Sequence, residues 1–167
     1  AGALPLSAVV ARREIVERLA QGSGAFNHAQ TYSHHPALCA AGLATLRALR
    51  AERLVERVAR LEAPFFGGLE RLRKHSAVGD IRGRGFLAAI EFVADRATKQ
   101  PFARADRFAE RVTEAAFANG LIVWPNAGNV DGTNGDLVIL APPFTATEDE
   151  LEEIVRRLDR TLSAVEK

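Results

Sequence analysis

The 167-residue sequence predicts an α/β protein, because segments with helical and with strand periodicity alternate along it. The helical segment beginning at Pro36 carries one apolar stripe, whose members recur mostly three or four residues apart. From Phe86 to Val93 the period changes to two, which is typical of a strand. Near the end, Thr147 and Glu150 form a capping-box pattern. The helix behind it has its own stripe of Leu151, Ile154, Leu158 and Leu162.

The first third of the chain predicts a short strand followed by two helical segments. The strand is expected over 5–10 and the first helix over 11–21, ending at the Gly-Ser-Gly break 22–24. The long helical segment then runs from Pro36 to Leu72. Pro64 lies inside it and lacks a backbone donor, so we expect a kink or a restart there.

The second half predicts the order β-α-β-β-α. After the strand at 86–93, a helix is expected over 104–119, with Gly120 as its C-terminal stop. A strand over 121–124, a turn-rich loop over 125–135 and a strand over 137–141 follow. This order predicts an antiparallel or mixed sheet that is covered by helices on one face.

Composition and charge restrict the class of partner. The sequence is 47% hydrophobic and 26% charged, as in soluble globular proteins, and its formal net charge of +1 gives no basic field for nucleic acid. Its apolar runs are too short for a membrane span. Cys39 is the only cysteine, so we expect a buried, inert thiol in a reducing cytoplasm.

The stretch FNHAQTYSHHPALCAAGLATL, residues 26–46, is a polar loop that leads into a helix. Pro36 suits the first helical position, and the unpaired N–H groups of a helix N-terminus favour a phosphate or a carboxylate. Thr31 and Ser33 could add hydroxyl donors. The alternative for Thr31 is an ordinary helix cap. His28, His34 and His35 have no Cys or Glu at ligand spacing, so no metal site is expected.

Within that stretch, QTYSHHPALCAAGLA resembles the H-T-Y-S-G-H-P motif of class III aminotransferases, which depend on pyridoxal phosphate (PLP). GALPLSAVVAR, VGDIRGRGFLAAIEFV and GDLVILAPPFTATEDEL resemble three further family segments in the same order. The resemblance implies the C-terminal part of PLP-dependent transferase fold type I. Residues 1–50 would end the large PLP-binding domain and begin a connecting helix, and 51–167 would form the small α+β domain.

The resemblance also implies roles for particular residues. The threonine that matches Thr31 binds the PLP phosphate in the neighbouring subunit's site, assisted by a backbone N–H, here that of Gln30 or Thr31. A homodimer with shared active sites is therefore expected. The family's Schiff-base lysine would precede Ala1, so the chain would be a fragment that contains no catalytic residue and is inactive alone. Three lysines lack the family's lysine context: Lys74, Lys99 and Lys167.

Two positions bear on the substrate. Family members that use glutamate and 2-oxoglutarate commonly carry an arginine two residues before the alanine that matches Ala141, and here that position is Ile139. An aliphatic side chain cannot grip a carboxylate. Trp124 and Asn126 fall where the family builds its pocket mouth, and the alternatives are a core tryptophan and a turn asparagine.

These observations give two hypotheses of different kinds. The first is part of a PLP-dependent aminotransferase that moves an amino group from an amine or ω-amino acid to a keto acid, with pyruvate the expected acceptor. The second is a non-catalytic α+β ligand-binding or dimerisation module. A dinucleotide site is rejected, because Gly83 to Ala88 match the loose G-x-G-x-x-A fingerprint but a strand pattern, not a helix, follows.

Overall fold

The computed structural model describes residues 4–166. The chain divides into two compact units, Ala1–Arg53 and Leu54–Lys167, which are described separately. The segment that resembles the family's post-lysine strand begins at Gly2, so its first two residues lie outside the described range, as does Lys167.

The described part of the first unit contains two helices, α1 (Arg13–Gln21) and α2 (Pro36–Ala51). The strand expected over 5–10 is wrong, because residues 5–12 have no regular structure and Val9 and Val10 are 82% and 95% exposed. An isolated strand leaves its backbone groups unpaired, and the described part of this unit holds no other strand. Cys39 is exposed, not buried as expected, because among the unit's described residues Leu38 alone is buried.

The long helical segment is interrupted at Arg53 and not at Pro64. Arg53 takes a left-handed conformation, with φ of 50°, directly before α3 (Leu54–Glu70). Helix α3 then continues through Pro64. Phe65 and Leu69 beyond the proline are buried in the same core as Leu61 before it. This shared packing offsets the one backbone hydrogen bond that a proline removes.

The second unit is built on a four-stranded antiparallel sheet in the order β1-β2-β4-β3. The strands are β1 (Val78–Arg84), β2 (Leu87–Phe92), β3 (Trp124–Ala127) and β4 (Asp136–Leu140). The stretch VGDIRGRGFLAAIEFV is therefore a hairpin of two strands. Gly83 is required here, since a Cβ on it would lie 2.0 Å from the Leu87 carbonyl oxygen.

The third strand begins later than expected. The sequence predicts a strand over 121–124, whereas β3 starts at Trp124 and takes in the first residues of the predicted loop. Leu121 and Val123 are buried in the core, so their alternation reflects packing and not pairing in the sheet.

One face of the sheet carries the core, as predicted. Ala88, Ile90 and Phe92 of β2 are fully buried, and Ile90 lies opposite Val138 of β4. Each helix of this unit adds buried side chains to this core, among them Leu69 of α3, Val112 of α4 (Phe108–Ala118) and Leu158 of α5 (Glu148–Val165).

Two of the predicted helix ends in this unit are confirmed. Gly120 has φ of 71° just after α4, and Thr147 and Glu150 form the complete capping box at the start of α5. The helix start expected at residue 104 is wrong, because Arg104–Asp106 form a 3₁₀ turn, Arg107 has φ of 48°, and α4 begins only at Phe108. Across residues 4–166, no helix is both long and apolar enough to cross a bilayer.

Candidate functional site

The polar loop forms a closed turn directly before α2. The Gln30 N–H donates to Ser33 Oγ at 3.0 Å, and the Ser33 N–H donates to the Gln30 carbonyl oxygen at 2.9 Å. The His35 N–H donates to the Tyr32 carbonyl oxygen at 3.2 Å. Ser33 therefore holds the turn from both sides, a role beyond the hydroxyl donor that the sequence predicts. The three-residue spacing of Gln30 and Ser33 is the signal for it, since a serine hydroxyl commonly bonds nearby backbone N–H groups.

Thr31 lies at the start of this turn and is exposed. Neither its hydroxyl nor its backbone N–H makes a hydrogen bond to another residue of the range 4–166. The cap residue of α2 is His35, and no side chain caps that helix end. The capping alternative for Thr31 is therefore wrong. The Gln30 N–H, by contrast, is already engaged by Ser33.

The electrostatics of this turn suit an anion. Helix α2 has proline in its first turn and no acidic residue there. Its N-terminal end thus keeps the partial positive charge of a helix dipole without a local carboxylate to neutralise it. A hydroxyl and an N–H beside that end are the donors that a phosphate group accepts from.

His34 has the backbone conformation that favours glycine. Its φ is 59°, in the left-handed region. The family motif usually has glycine at this position, and the backbone geometry gives the reason. Histidine tolerates this region better than a β-branched residue does, so the turn survives the substitution. As for metals, residues 4–166 contain no group of three or more His, Cys, Asp or Glu that could hold an ion.

The second candidate patch lies on the face of the sheet opposite the core. Trp124 and Asn126, two residues apart on β3, are both exposed, and Trp124 is 70% exposed. The alternatives of a core tryptophan and a turn asparagine are therefore wrong. Trp124 lies opposite Ile139 on β4, and Ile139 lies opposite Ala89 on β2. This row forms an apolar wall.

The cation nearest in register to this wall is Arg82 on β1, opposite Ala89. Its guanidinium bonds the carboxylates of Glu91 and Asp80. Burial raises the pKa of Asp80, but hydrogen bonds from Arg82, the Ile81 N–H and Arg73 outweigh it, so that pKa lies below its ordinary value. Arg82 is thus committed to a surface ion-pair network.

The two described lysines occupy structural positions. Lys74 Nζ lies 2.8 Å from Asp159 Oδ2. Lys99 lies in the turn between Asp95 and Gln100, with φ of 60°. Neither lies in the turn that holds Thr31.

Comparison with known proteins identifies relatives over the whole chain. YodT of Bacillus subtilis, an uncharacterized aminotransferase, is 37% identical over 168 residues, covering 100% of this chain and 38% of that protein. The putrescine–pyruvate aminotransferase of Pseudomonas aeruginosa is 36% identical, covering 98% of this chain and 35% of that protein. The diaminobutyrate–2-oxoglutarate transaminase of Halomonas elongata is 35% identical, covering 96% and 34%. The chain thus spans little more than a third of the length of these relatives.

Solved structures give the same result for the fold. An (S)-enantioselective omega-transaminase from Thermomicrobium roseum matches with a TM-score of 0.81 and 33% identity, over 93% of this chain and 33% of that one. An amine transaminase from an uncultivated Pseudomonas species, solved in a PLP-bound form, matches with a TM-score of 0.80 and 31% identity, over 91% and 33%. The fold is therefore that of a part of these PLP-dependent transaminases.

The sequence model of the family described as Aminotransferase class-III matches residues 1–162. The cofactor that this family and its PLP-bound structures indicate is pyridoxal phosphate. From the family match, the relatives and the shared fold together, the chain belongs to the class III aminotransferases.

Proposed function

We propose that this chain is the C-terminal part of an aminotransferase that moves an amino group from an amine or ω-amino acid to a keto acid, with pyruvate as acceptor. The observation that carries the proposal is the Thr31 turn, which precedes the uncapped start of α2 and in which the Thr31 hydroxyl and N–H have no hydrogen-bond partner among residues 4–166. Family membership supplies the reaction class.

Thr31 is proposed to bind the phosphate of PLP through its hydroxyl and its N–H. Bound PLP would supply a ring that takes up the negative charge developing at the substrate carbon. The protein's part is to anchor the phosphate so that the ring is held in a fixed position. Ser33 positions this anchor by closing the turn, and in the closed turn it keeps the Gln30 N–H from serving as a second donor.

The first experiment replaces Thr31 with valine, which keeps the shape and removes the hydroxyl, in the complete enzyme. A hydrogen bond to a charged group is worth about 1.5–3 kcal/mol, so the PLP dissociation constant should rise about 10- to 100-fold. Excess PLP should restore the activity. The matched control is Thr45→Val, because the Thr45 hydroxyl bonds the Ala41 carbonyl oxygen of its own helix. PLP affinity that is equal in the Thr31 and Thr45 variants would refute the assignment.

Thr31 is further proposed to act in the partner subunit's site of a homodimer. The test mixes subunits lacking the upstream lysine with Thr31→Val subunits at limiting PLP. If the threonine acts across the interface, one of the two sites in each mixed dimer has both the lysine and Thr31, and activity returns. If it acts within its own subunit, no site is complete, and mixing restores nothing.

The preference for an amine donor and for pyruvate rests on the wall formed by Trp124, Ile139 and Ala89. Ile139 offers no charge to a distal carboxylate, and Arg82 is already paired with Glu91 and Asp80. The relatives include both a pyruvate and a 2-oxoglutarate enzyme, so the acceptor needs its own test.

That test compares pyruvate with 2-oxoglutarate for the wild type and for Ile139→Arg. The wild type should favour pyruvate, and the arginine should shift the kcat/KM ratio toward 2-oxoglutarate by about tenfold or more through a charge-assisted contact. Ile122→Arg, at an exposed residue outside the strands, is the control. A wild type that favours 2-oxoglutarate would contradict the proposed acceptor and leave the reaction class standing.

We also expect a cytoplasmic location, since a single cysteine suits a reducing compartment.

A further inference from the structure

A buried histidine joins the two ends of the second unit. His75, which follows α3 by one short 3₁₀ turn, is 6% exposed. Its Nε2 lies 2.6 Å from Asp159 Oδ1 in α5, and its Nδ1 lies 2.9 Å from Glu166 Oε2 just after α5. The imidazole is therefore held between two carboxylates that are 84 and 91 residues away in sequence.

The groups around this cluster come from four parts of the unit. Lys74 Nζ pairs with Asp159, while the Ser76 hydroxyl and the Ala77 N–H donate to Glu166 Oε1 at 3.1 and 2.8 Å. Two further cations bind backbone carbonyls and not the carboxylates: Arg96 bonds that of His75, and Arg111 bonds that of Val165 at 3.0 Å. Lys74, His75, Asp159 and Glu166 are thus the titratable side chains that contact one another in the cluster.

The count of protons decides whether both contacts can exist together. A neutral imidazole has one N–H donor and one acceptor nitrogen, while an ionised carboxylate only accepts. Both carboxylates are ionised near neutral pH. Burial raises the pKa of each carboxyl group, but hydrogen bonds outweigh burial and lower both pKa values. The donors are Lys74 and His75 for Asp159, and the Ala77 N–H and His75 for Glu166. Two hydrogen bonds to two carboxylates therefore require the imidazolium form.

We propose that His75 is a pH-sensitive latch for the final turn of α5, closed when the imidazole carries both protons and open when one is lost. Asp159 lies within α5 and stays in place, and it is also held by Lys74. Glu166 follows the last helical residue. When Nδ1 becomes an acceptor, Glu166 loses one of its three hydrogen bonds and keeps those from the Ser76 hydroxyl and the Ala77 N–H, so it is the arm that loosens. Opening would expose the end of α5 beyond Leu162.

The experiment measures amide hydrogen exchange in residues 161–166 of the complete enzyme, at a series of pH values from acidic to alkaline. Protection factors, which remove the intrinsic pH dependence of exchange, should fall about tenfold from the acidic to the alkaline side, as expected for loss of one charge-assisted hydrogen bond. His75→Gln should give low protection that does not vary with pH. His28→Gln, at an exposed histidine of the first unit, should keep the wild-type dependence.

Glu166→Gln gives a second test that does not depend on the stability of the His75 variant. Its carboxamide can donate to a neutral Nδ1, so the loss of protection on the alkaline side should disappear or reverse. Protection in the wild type that is flat across the range, or a wild-type pH dependence in either His75→Gln or Glu166→Gln, would overturn the latch.

Discussion

Asp136 of β4 caps a helix that is distant in sequence, and it does so at the cost of a buried charge. Its side chain is 1% exposed, and Oδ1 accepts a hydrogen bond from the Ala109 N–H, near the start of α4, at 3.1 Å. Oδ2 is also buried and has no hydrogen-bond partner among residues 4–166. Burial raises the pKa of Asp136, outweighing the Ala109 N–H bond that lowers it, and the nearby Glu110 adds to the increase.

Two substitutions separate the cap from the charge. Asp136→Ala removes the acceptor, and loss of a helix N-terminal cap costs about 0.5–2 kcal/mol of unfolding free energy. Asp136→Asn keeps an oxygen for the Ala109 N–H and removes the charge. A buried polar group without a hydrogen-bond partner costs about 1–3 kcal/mol of unfolding free energy. The uncharged amide avoids only part of this cost, so we expect the unfolding free energy of Asp136→Asn to exceed that of the wild type by up to about 1 kcal/mol near neutral pH.

The pH dependence follows from the direction of the pKa shift. A group whose pKa is raised in the folded state contributes stability that is fully present below its unfolded pKa, ordinarily 3.8, and that is lost as the pH rises through its folded pKa. The wild type therefore loses stability relative to Asp136→Asn as the pH rises from the unfolded to the folded pKa of Asp136. Above the folded pKa, the difference in unfolding free energy between the two proteins stays constant.

Urea midpoints followed by far-ultraviolet circular dichroism, at a series of pH values, measure this difference. Asp131→Asn is the matched control. Asp131 is exposed, and hydrogen bonds from the Asn134 N–H and side chain and from the Thr133 N–H lower its pKa. Its contribution is present above the unfolded pKa and lost as the pH falls, so Asp131→Asn should lose stability relative to wild type as the pH rises. The reasoning would be refuted if the stability difference between Asp136→Asn and wild type did not change with pH. It would also be refuted if that difference changed with pH in the same direction as for Asp131→Asn.

Two further predictions concern local backbone geometry. Thr147→Ala breaks the capping box of α5 and should lower the unfolding free energy by about 1 kcal/mol in urea melts. The control is Thr145→Ala, in the same loop. Equal losses of unfolding free energy in the two variants would count against the cap. His34→Gly should raise the thermal midpoint, since glycine removes a strain of about 1–2 kcal/mol at φ of 59° for an entropic cost of about 0.5–1 kcal/mol. His35→Gly, at φ of −62°, has no such strain to relieve and should lower the midpoint, so a fall in both variants would contradict the explanation.

The sequence predicts an element correctly where a local feature, such as a cap or an apolar stripe, agrees with the side chains that the tertiary structure buries. It fails where the two differ. Helix α5 has both a capping box and one apolar stripe, and Gly120 marks the end of α4. The periodicity does not predict β1 as a separate strand, because it contains Gly79 and Gly83 and has little apolar alternation. The first predicted strand was wrong, because an apolar run specifies burial but not the partner that a strand needs.

The candidate site also has features that the sequence predicts and features that only the structure shows. The Thr31 motif and the family are readable from sequence, since they depend on residue types at fixed short spacing. That Ser33 occupies the Gln30 N–H, and that Trp124 faces outward beside Ile139, depended on the turn and on the sheet register. A one-residue change of register would have turned Trp124 to the other face.

What the sequence determined by itself is therefore the helical periodicity, the capping box of α5, the glycine stop after α4 and the family. These rest on hydrogen bonds and apolar contacts between residues three or four apart, which spacing alone encodes. The tertiary structure decided the cap that Asp136 gives to α4 from 27 residues away, and the joining of His75 to Asp159 and Glu166 across more than 80 residues. Such pairs meet only after the sheet and helices have packed, because nothing in their local sequence selects the partner.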